Sequence, residues 1–524
     1  MSESVMIYDT TLRDGAQSEG VSFSPEDSLE VLKKLDEFGV DFVEGGWPGS
    51  APKVDEFFKL ASKIKLKNTK LTAFGSTGKF GTPAKNDQNL KNLAACPVEW
   101  CCIFGKSWDF QVTSALCILP EQNLDLIRNS IRFLKDSGKR VMFDAEHFFD
   151  GYINNKEYAL STLKAAVDGG AEWLVLCDTN GGTMMEVIAD AVEDVLLTFE
   201  IPVGIHCHND SDLAVANSLV AVERGATMVQ GTINGIGERT GNANLCSIMA
   251  NLELKLEYEL NIKDIGQLTE LSTFVSETAN LAPVPGMPFV GEKAFAHKGG
   301  VHVSAIARDP RTYEHIAPEC VGNKRRILIS DMAGRASISE KLKDFGIDIG
   351  TEESQAIVNQ IKALEAQGYQ FEGADASFEL LVRRFKGELE SPFKVTGFRV
   401  FIDNIGDKVS SEASVKVMDS NGNEEHTASN GDGPVNALDN ALRKALSSLF
   451  PVTDRIRLTD YKVRVLDGKS ATAASVRVLI RSTDGKNSWT TVGVSENVIE
   501  ASLYALIDSI EYAIHKNTDK EVAQ

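Results

Sequence analysis

Eight short apolar runs between Val5 and Gly235, separated by amphipathic stretches, predict an α/β chain that opens with a TIM-type (β/α)8 barrel. A second observation supports the barrel. Polar residues gather at the C-terminal end of nearly every run: Asp9, Glu44, Ser76, Glu146, Asp178, His208 and Asn234. That end is the catalytic face of such a barrel. A third observation lies near the C-terminus, where "GDGPVNALDNALRKAL" (431–446) and "SENVIEASLYALIDSI" (495–510) superpose at an offset of 64 residues. The repeat predicts an α+β domain of two βββα units.

The candidate strands in order are "VMIYD" (5–9), "DFVEGG" (41–46), "KLTAFGS" (70–76) and "WCCIFG" (100–105), then "RVMFDAEHF" (140–148), "WLVLCDT" (173–179), "VGIHCHND" (203–210) and "TMVQGTING" (227–235). The first connecting helix is bounded by Ser24 as N-cap, Pro25 at its first position and Gly39 at its end. "LAPVPGMPFVGEKAF" (281–295) is rich in proline and glycine and closes the barrel pattern. Helical patterns follow at 337–347, 352–367 and 375–388. Strands are expected at 395–403, 411–419 and 424–429 in one repeat, and at 459–467, 472–482 and 488–494 in the other. The expected division is a barrel over 1–280, a helical region over 281–390, a C-terminal domain over 391–516 and a tail over 517–524. The C-terminal domain has no cysteine and few candidate catalytic groups, so binding or dimerisation is its expected role.

The 524 residues carry a net charge of −21, which argues against nucleic acid or an anionic membrane as partner. No apolar stretch approaches the ~18 residues of a membrane span. Eight cysteines fall between Cys96 and Cys320 with no Cys-x-x-Cys pair, so buried reduced thiols and a cytoplasmic location are expected.

The chemistry concentrates in "HCHND" (206–210). Alternate strand residues share a face, so His206 and His208 project together, an arrangement suited to a divalent cation. Asp14, in "DTTLRDGAQSEG" (9–20), supplies a carboxylate, and Asn242, in "NGIGERTGNANL" (234–245), an amide oxygen. Nitrogen and oxygen donors without thiolate leave Mg, Mn and Zn open. Arg13 either holds an oxyanion beside the cation or forms a fixed ion pair with Asp9 or Glu44. Glu146 is the leading catalytic carboxylate outside the metal set, and Thr179 offers a hydroxyl to a substrate carboxylate.

These motifs resemble the DRE-TIM metallolyase family, and within it the Claisen-condensing synthases related to 2-isopropylmalate and homocitrate synthase. "DTTLRDGAQ", "HCHND" and "GIGERTGNAN" match the family's three signatures in order. The likeness runs through "HKGGVHVSA" (297–305) into the C-terminal repeats. It implies metal ligation by Asp14, His206, His208 and Asn242. Arg13 would act on the keto oxygen, Glu146 in proton movement and Thr179 at the carboxylate of a 2-oxo acid. It also implies that His302 and Tyr313 reach an active site, in related synthases that of the partner subunit, so a homodimer is expected. "EGGWPGS" (44–50) and "GKSWDFQV" (105–112) look like the citramalate synthases, which take pyruvate and acetyl-CoA. Bulky Phe104 or Trp108 would shorten the pocket to fit pyruvate. The likeness further implies isoleucine as a feedback effector of the repeat domain. The alternatives are a synthase using another 2-oxo acid, a carbon–carbon lyase of the same superfamily, and a non-catalytic metabolite-binding scaffold.

Overall fold

The computed structural model describes residues 4–328, 335–405, 408–466 and 474–522. The chain divides into two compact units, Met1–Phe295 with Ile316–Arg325, and Ala296–His315 with Arg326–Gln524.

The first unit is a closed barrel of eight parallel strands. They are β1 (Met6–Asp9), β2 (Phe42–Glu44), β3 (Lys70–Ser76), β4 (Trp100–Lys106), β5 (Arg140–Glu146), β6 (Trp173–Asp178), β7 (Val203–Cys207) and β8 (Met228–Gly231). The cylinder closes where β1 pairs with β8, Ile7 opposite Val229. Side chains alternate along each strand. Tyr8, Phe42, Trp100, Cys102, Met142 and Met228 fill the interior, while Ile7, Val43, Cys101, Ile103, Val141 and Phe143 pack in the outer core shared with the helices. Because both faces are buried, the strands read as continuous apolar runs.

The first connecting helix, α1 (Pro25–Phe38), begins at a Ser24–Asp27 capping box and ends at Gly39. Gly39 has φ +102, and a Cβ there would lie 2.7 Å from the Asn261 carbonyl oxygen. Both ends match the expected bounds.

Five strands stop short of the sequence expectation: β2 at Glu44, β6 at Asp178 and β8 at Gly231, together with β5 and β7. β5 ends at Glu146 because His147 turns left-handed, with φ 58, and gives its N–H to the Thr179 hydroxyl. β7 ends at Cys207, so His208 is not a strand residue. A single antiparallel bridge joins it to Asn242.

In the second unit, helices span Arg335–Asp344, Thr351–Ala366 and Asp375–Phe385. Two antiparallel three-stranded sheets follow. The first is Phe393–Ile405, Lys408–Asp419 and Glu424–Gly431, with the helix Pro434–Leu446. The second is Arg457–Val465, Val476–Thr483 and Ser488–Ser495, with the helix Val498–Val522. Ala437, Ala441, Ala501 and Ala505, which correspond at the 64-residue offset, are all fully buried. Parts of the strands expected at 459–467 and 472–482, namely 467 and 472–473, lie outside the described residues, as do 523–524 of the expected tail; its residues 517–522 continue the last helix. No helix among the described residues is long and apolar enough to cross a membrane. Six cysteines are buried, Cys117 and Cys320 are exposed, and all are free.

Candidate active site and metal centre

The turn after β1 is tied down before it presents any chemistry. Asp9 accepts hydrogen bonds from the Thr11 N–H at 3.0 Å and hydroxyl at 2.7 Å, and the Thr11 hydroxyl accepts from the Ile233 N–H beyond β8. The N–H groups of Arg13, Asp14 and Gly15 all converge on the Thr10 carbonyl. This tight turn sets Arg13 and Asp14 side by side at the barrel mouth.

Arg13 is clamped. Its Nε lies 2.5 Å from Glu44 Oε1 and a terminal nitrogen lies 3.3 Å from Asp14 Oδ2. Its guanidinium covers the Phe74 ring at 3.8 Å. The second Glu44 oxygen accepts from the Tyr8 hydroxyl at 2.8 Å. Of the two ion-pair partners considered for Arg13, Glu44 is the one in place, and Asp9 serves the turn instead. Burial raises Glu44, with the cation of Arg13 opposing. Burial pushes Asp14 upward too, but Arg13 and His206 outweigh it and hold the carboxyl well below its ordinary range.

His206 comes from β7 and His208 from the residue just beyond it. His206 Nε2 lies 3.4 Å from Asp14 Oδ2 and His208 Nε2 lies 3.9 Å from the same oxygen. One donor atom from each of Asp14, His206 and His208 falls within 4.8 Å of the others, and all three residues are buried. Burial and the neighbouring His206 lower His208 to about 4. Burial likewise works against charge on His206, but Asp14 raises it.

The backbone bridge sets Asn242 opposite His208, and the Asn242 Oδ1 is buried with no hydrogen-bond partner among the described residues, as is His208 Nδ1. A buried carboxylate facing two imidazoles, with an orphaned amide oxygen nearby, is a donor set that a divalent cation satisfies. Cys207, between the histidines, packs into the outer core and adds no thiolate.

The centre opens into a cavity of about 530 Å³ lined by Arg13, Asp14, Trp47, Phe74, Phe104, Glu146, Thr179, His206, His208 and Arg239, among others. Phe104 stacks on Phe74 at 5.4 Å and meets Trp47 edge-on at 5.8 Å, so these rings form one wall. Trp108 is not among the lining residues. It packs on Phe110 and His147 instead, because the chain turns away after β4. Glu146 Oε2 pairs with Lys106 Nζ at 2.6 Å. The Thr179 hydroxyl accepts from the His147 N–H at 2.8 Å, which leaves its own hydrogen to donate.

Several neighbours escaped the sequence reading: Trp47, Phe74, Lys106, Asp144, Gln230 and Arg239. Asp144 and Gln230 carried a signal, since each interrupts an apolar strand with a polar side chain. His302 and Tyr313 belong to the second unit, where their rings stack at 4.0 Å and 23°.

Residues 4–275 match the HMGL-like family model, residues 289–369 the homocitrate synthase post-HMGL domain-like model, and residues 372–514 the LeuA allosteric (dimerisation) domain. The chain is 52% identical to the (R)-citramalate synthase of Aquifex aeolicus, covering 100% of both chains. It is 52% identical to that of Geobacter sulfurreducens over 99% of each. A probable 2-isopropylmalate synthase of Methanopyrus kandleri is 33% identical over 99% of this chain and 100% of its own. The chain belongs to the HMGL-like family, in the group of the (R)-citramalate synthases.

Proposed function

We propose that the chain condenses acetyl-CoA with pyruvate and hydrolyses the resulting thioester, giving (R)-citramalate and free CoA. The observation that carries this reading is the meeting of Arg13 with Asp14, His206 and His208 at the edge of an aromatic-walled cavity. Asp14, His206, His208 and Asn242 would hold a divalent cation (Mg, Mn or Zn), which would supply Lewis acidity toward a 2-oxo acid. Thr179 donates to the substrate carboxylate. Phe104 limits the space beyond the keto carbon, which favours the methyl group of pyruvate.

Glu146 takes a proton from the acetyl methyl group, and the alternative base is the His302 region supplied by a partner subunit. The methyl carbon then bonds to the keto carbon, and the keto oxygen gains the electron pair. Arg13 N–H groups stabilise that developing charge. Water finally cleaves the thioester, releasing CoA as the thiol.

In the same reading, residues 1–280 catalyse, 281–390 connect, and 391–516 dimerise the chain and bind isoleucine near "NGDGPVNA" and "GVSENVIEA". The match of residues 372–514 to an allosteric (dimerisation) domain supports this assignment. The free, mostly buried thiols fit a cytoplasmic location, and the match to a dimerisation domain fits a homodimer.

A thiol-release assay with acetyl-CoA and a panel of 2-oxo acids, with and without a chelator, tests the proposal. Pyruvate is expected to turn over best, and chelation to stop release. Faster turnover of 2-oxoisovalerate overturns the assignment, as does cleavage of a hydroxyacyl-CoA to acetyl-CoA with no free thiol released.

A further inference from the structure

Behind the metal centre, a chain of buried polar groups runs across the barrel interior. His206 Nδ1 lies 2.9 Å from Gln230 Oε1. Gln230 Nε2 lies 3.2 Å from Asp144 Oδ1, and the same oxygen accepts the Cys102 thiol at 3.0 Å. Gln230 and Cys102 are fully buried and Asp144 nearly so. Gln230 and Cys102 have no solvent to turn to, so their hydrogen bonds must be satisfied by buried neighbours, while Asp144 and His206 also reach the cavity.

The direction of the Gln230 amide is therefore determined. Turned over, it would set its carbonyl oxygen against an Asp144 oxygen and its NH2 against His206. As placed, Asp144 takes the NH2 and the carbonyl oxygen faces His206 Nδ1. That oxygen can only accept, so Nδ1 must carry the hydrogen. In the neutral ring the Nε2 lone pair is then left facing Asp14, where a cation needs it. His208 has no such partner: its Nδ1 is buried without a hydrogen bond.

We infer that Gln230, oriented by Asp144 and Cys102, is a positioning residue that holds His206 in the Nδ1–H tautomer and so prepares one of the two imidazoles for metal. This rests on the metal reading of the site. Removing such an outer partner costs about 10–100-fold in metal affinity.

Calorimetric titration of the full chain with Mn(II) alone, without substrate, tests it. Gln230→Leu is expected to weaken binding by about that factor. Gln230→Glu combined with Asp144→Asn, which keeps an acceptor opposite Nδ1 and gives its second oxygen an amide donor, is expected to restore most of it. Unchanged affinity in Gln230→Leu overturns this inference alone, while a parent chain that binds no Mn(II) overturns the metal reading with it. A separate measurement needs no variant. The 15N shifts of His206 in metal-free protein, at a pH where the ring is neutral, should report Nδ1–H, and an Nε2–H ring sinks the inference.

Discussion

Arg13 serves two demands that a substitution separates. It neutralises Glu44, which is fully buried and otherwise held only by the Tyr8 hydroxyl, and it reaches toward the cavity beside Asp14. Removing the cation strands a buried carboxylate, a defect worth about 3 kcal/mol or more. Arg13→Ala is therefore expected to lower Tm and kcat together. Adding Glu44→Gln removes the stranded charge, so the double variant should regain Tm while kcat stays about 100-fold or more below the parent, with pyruvate KM little changed. Recovery of kcat along with Tm would assign Arg13 to the ion pair alone. The candidate site residues were legible because a charged or imidazole group at the end of an apolar run is costly without a purpose. Lys106 and Gln230 were missed, although Gln230 breaks an apolar strand. Each acts on a residue of another strand, Glu146 or His206, and only the register of the closed barrel brings those pairs together.

The loop after β8 shows what an element contributes beyond its side chains. Asn242 stands beside His208 because the backbone folds back on itself, the Asn242 N–H donating to the Gly235 carbonyl. Gly241 makes that return possible. Its φ is +99, and a Cβ there would lie 2.0 Å from the Gly235 oxygen. Gly241→Ala should cost at least about 1–2 kcal/mol through the backbone alone. It should also weaken Mn(II) binding, because the loop must shift and carry Asn242 with it. Gly182→Ala, where nothing lies within 4 Å of the added carbon, should leave both Tm and Mn(II) affinity unchanged. A Gly241→Ala protein with parental Mn(II) affinity would remove Asn242 from the metal set. Element ends divide by the same logic. The bounds of α1 were readable because Ser24, Pro25 and Gly39 act within a few residues of themselves. The ends of β5 and β7 were overshot because a strand stops where its neighbour stops pairing, and "HCHND" reads as strand until Asn242 is seen bridging His208.

The whole molecule holds separate cores. The apolar clusters of the barrel are drawn from residues between Val5 and Val321. Those of the second unit are drawn from residues between Ile338 and Ile514, with no residue in common. Within the second unit the helical region and the second repeat do share a core, Phe378 and Val382 clustering with Val492, and Ser377 donates to Asp508 at 2.7 Å. Cutting the chain near Ser391 would expose that shared core, so the regulatory reading is better tested on the intact protein. Each ligand stabilises the unit that binds it, by about 2.7 kcal/mol at a hundredfold excess over Kd. Scanning calorimetry of the full chain is expected to resolve two transitions. Mn(II) should raise the one belonging to the barrel, and isoleucine the one belonging to the repeats. If a single transition responds alike to both, the two cores do not melt as separate units. If isoleucine moves neither, the repeats do not bind it, and dimerisation alone is left as the work of residues 391–516.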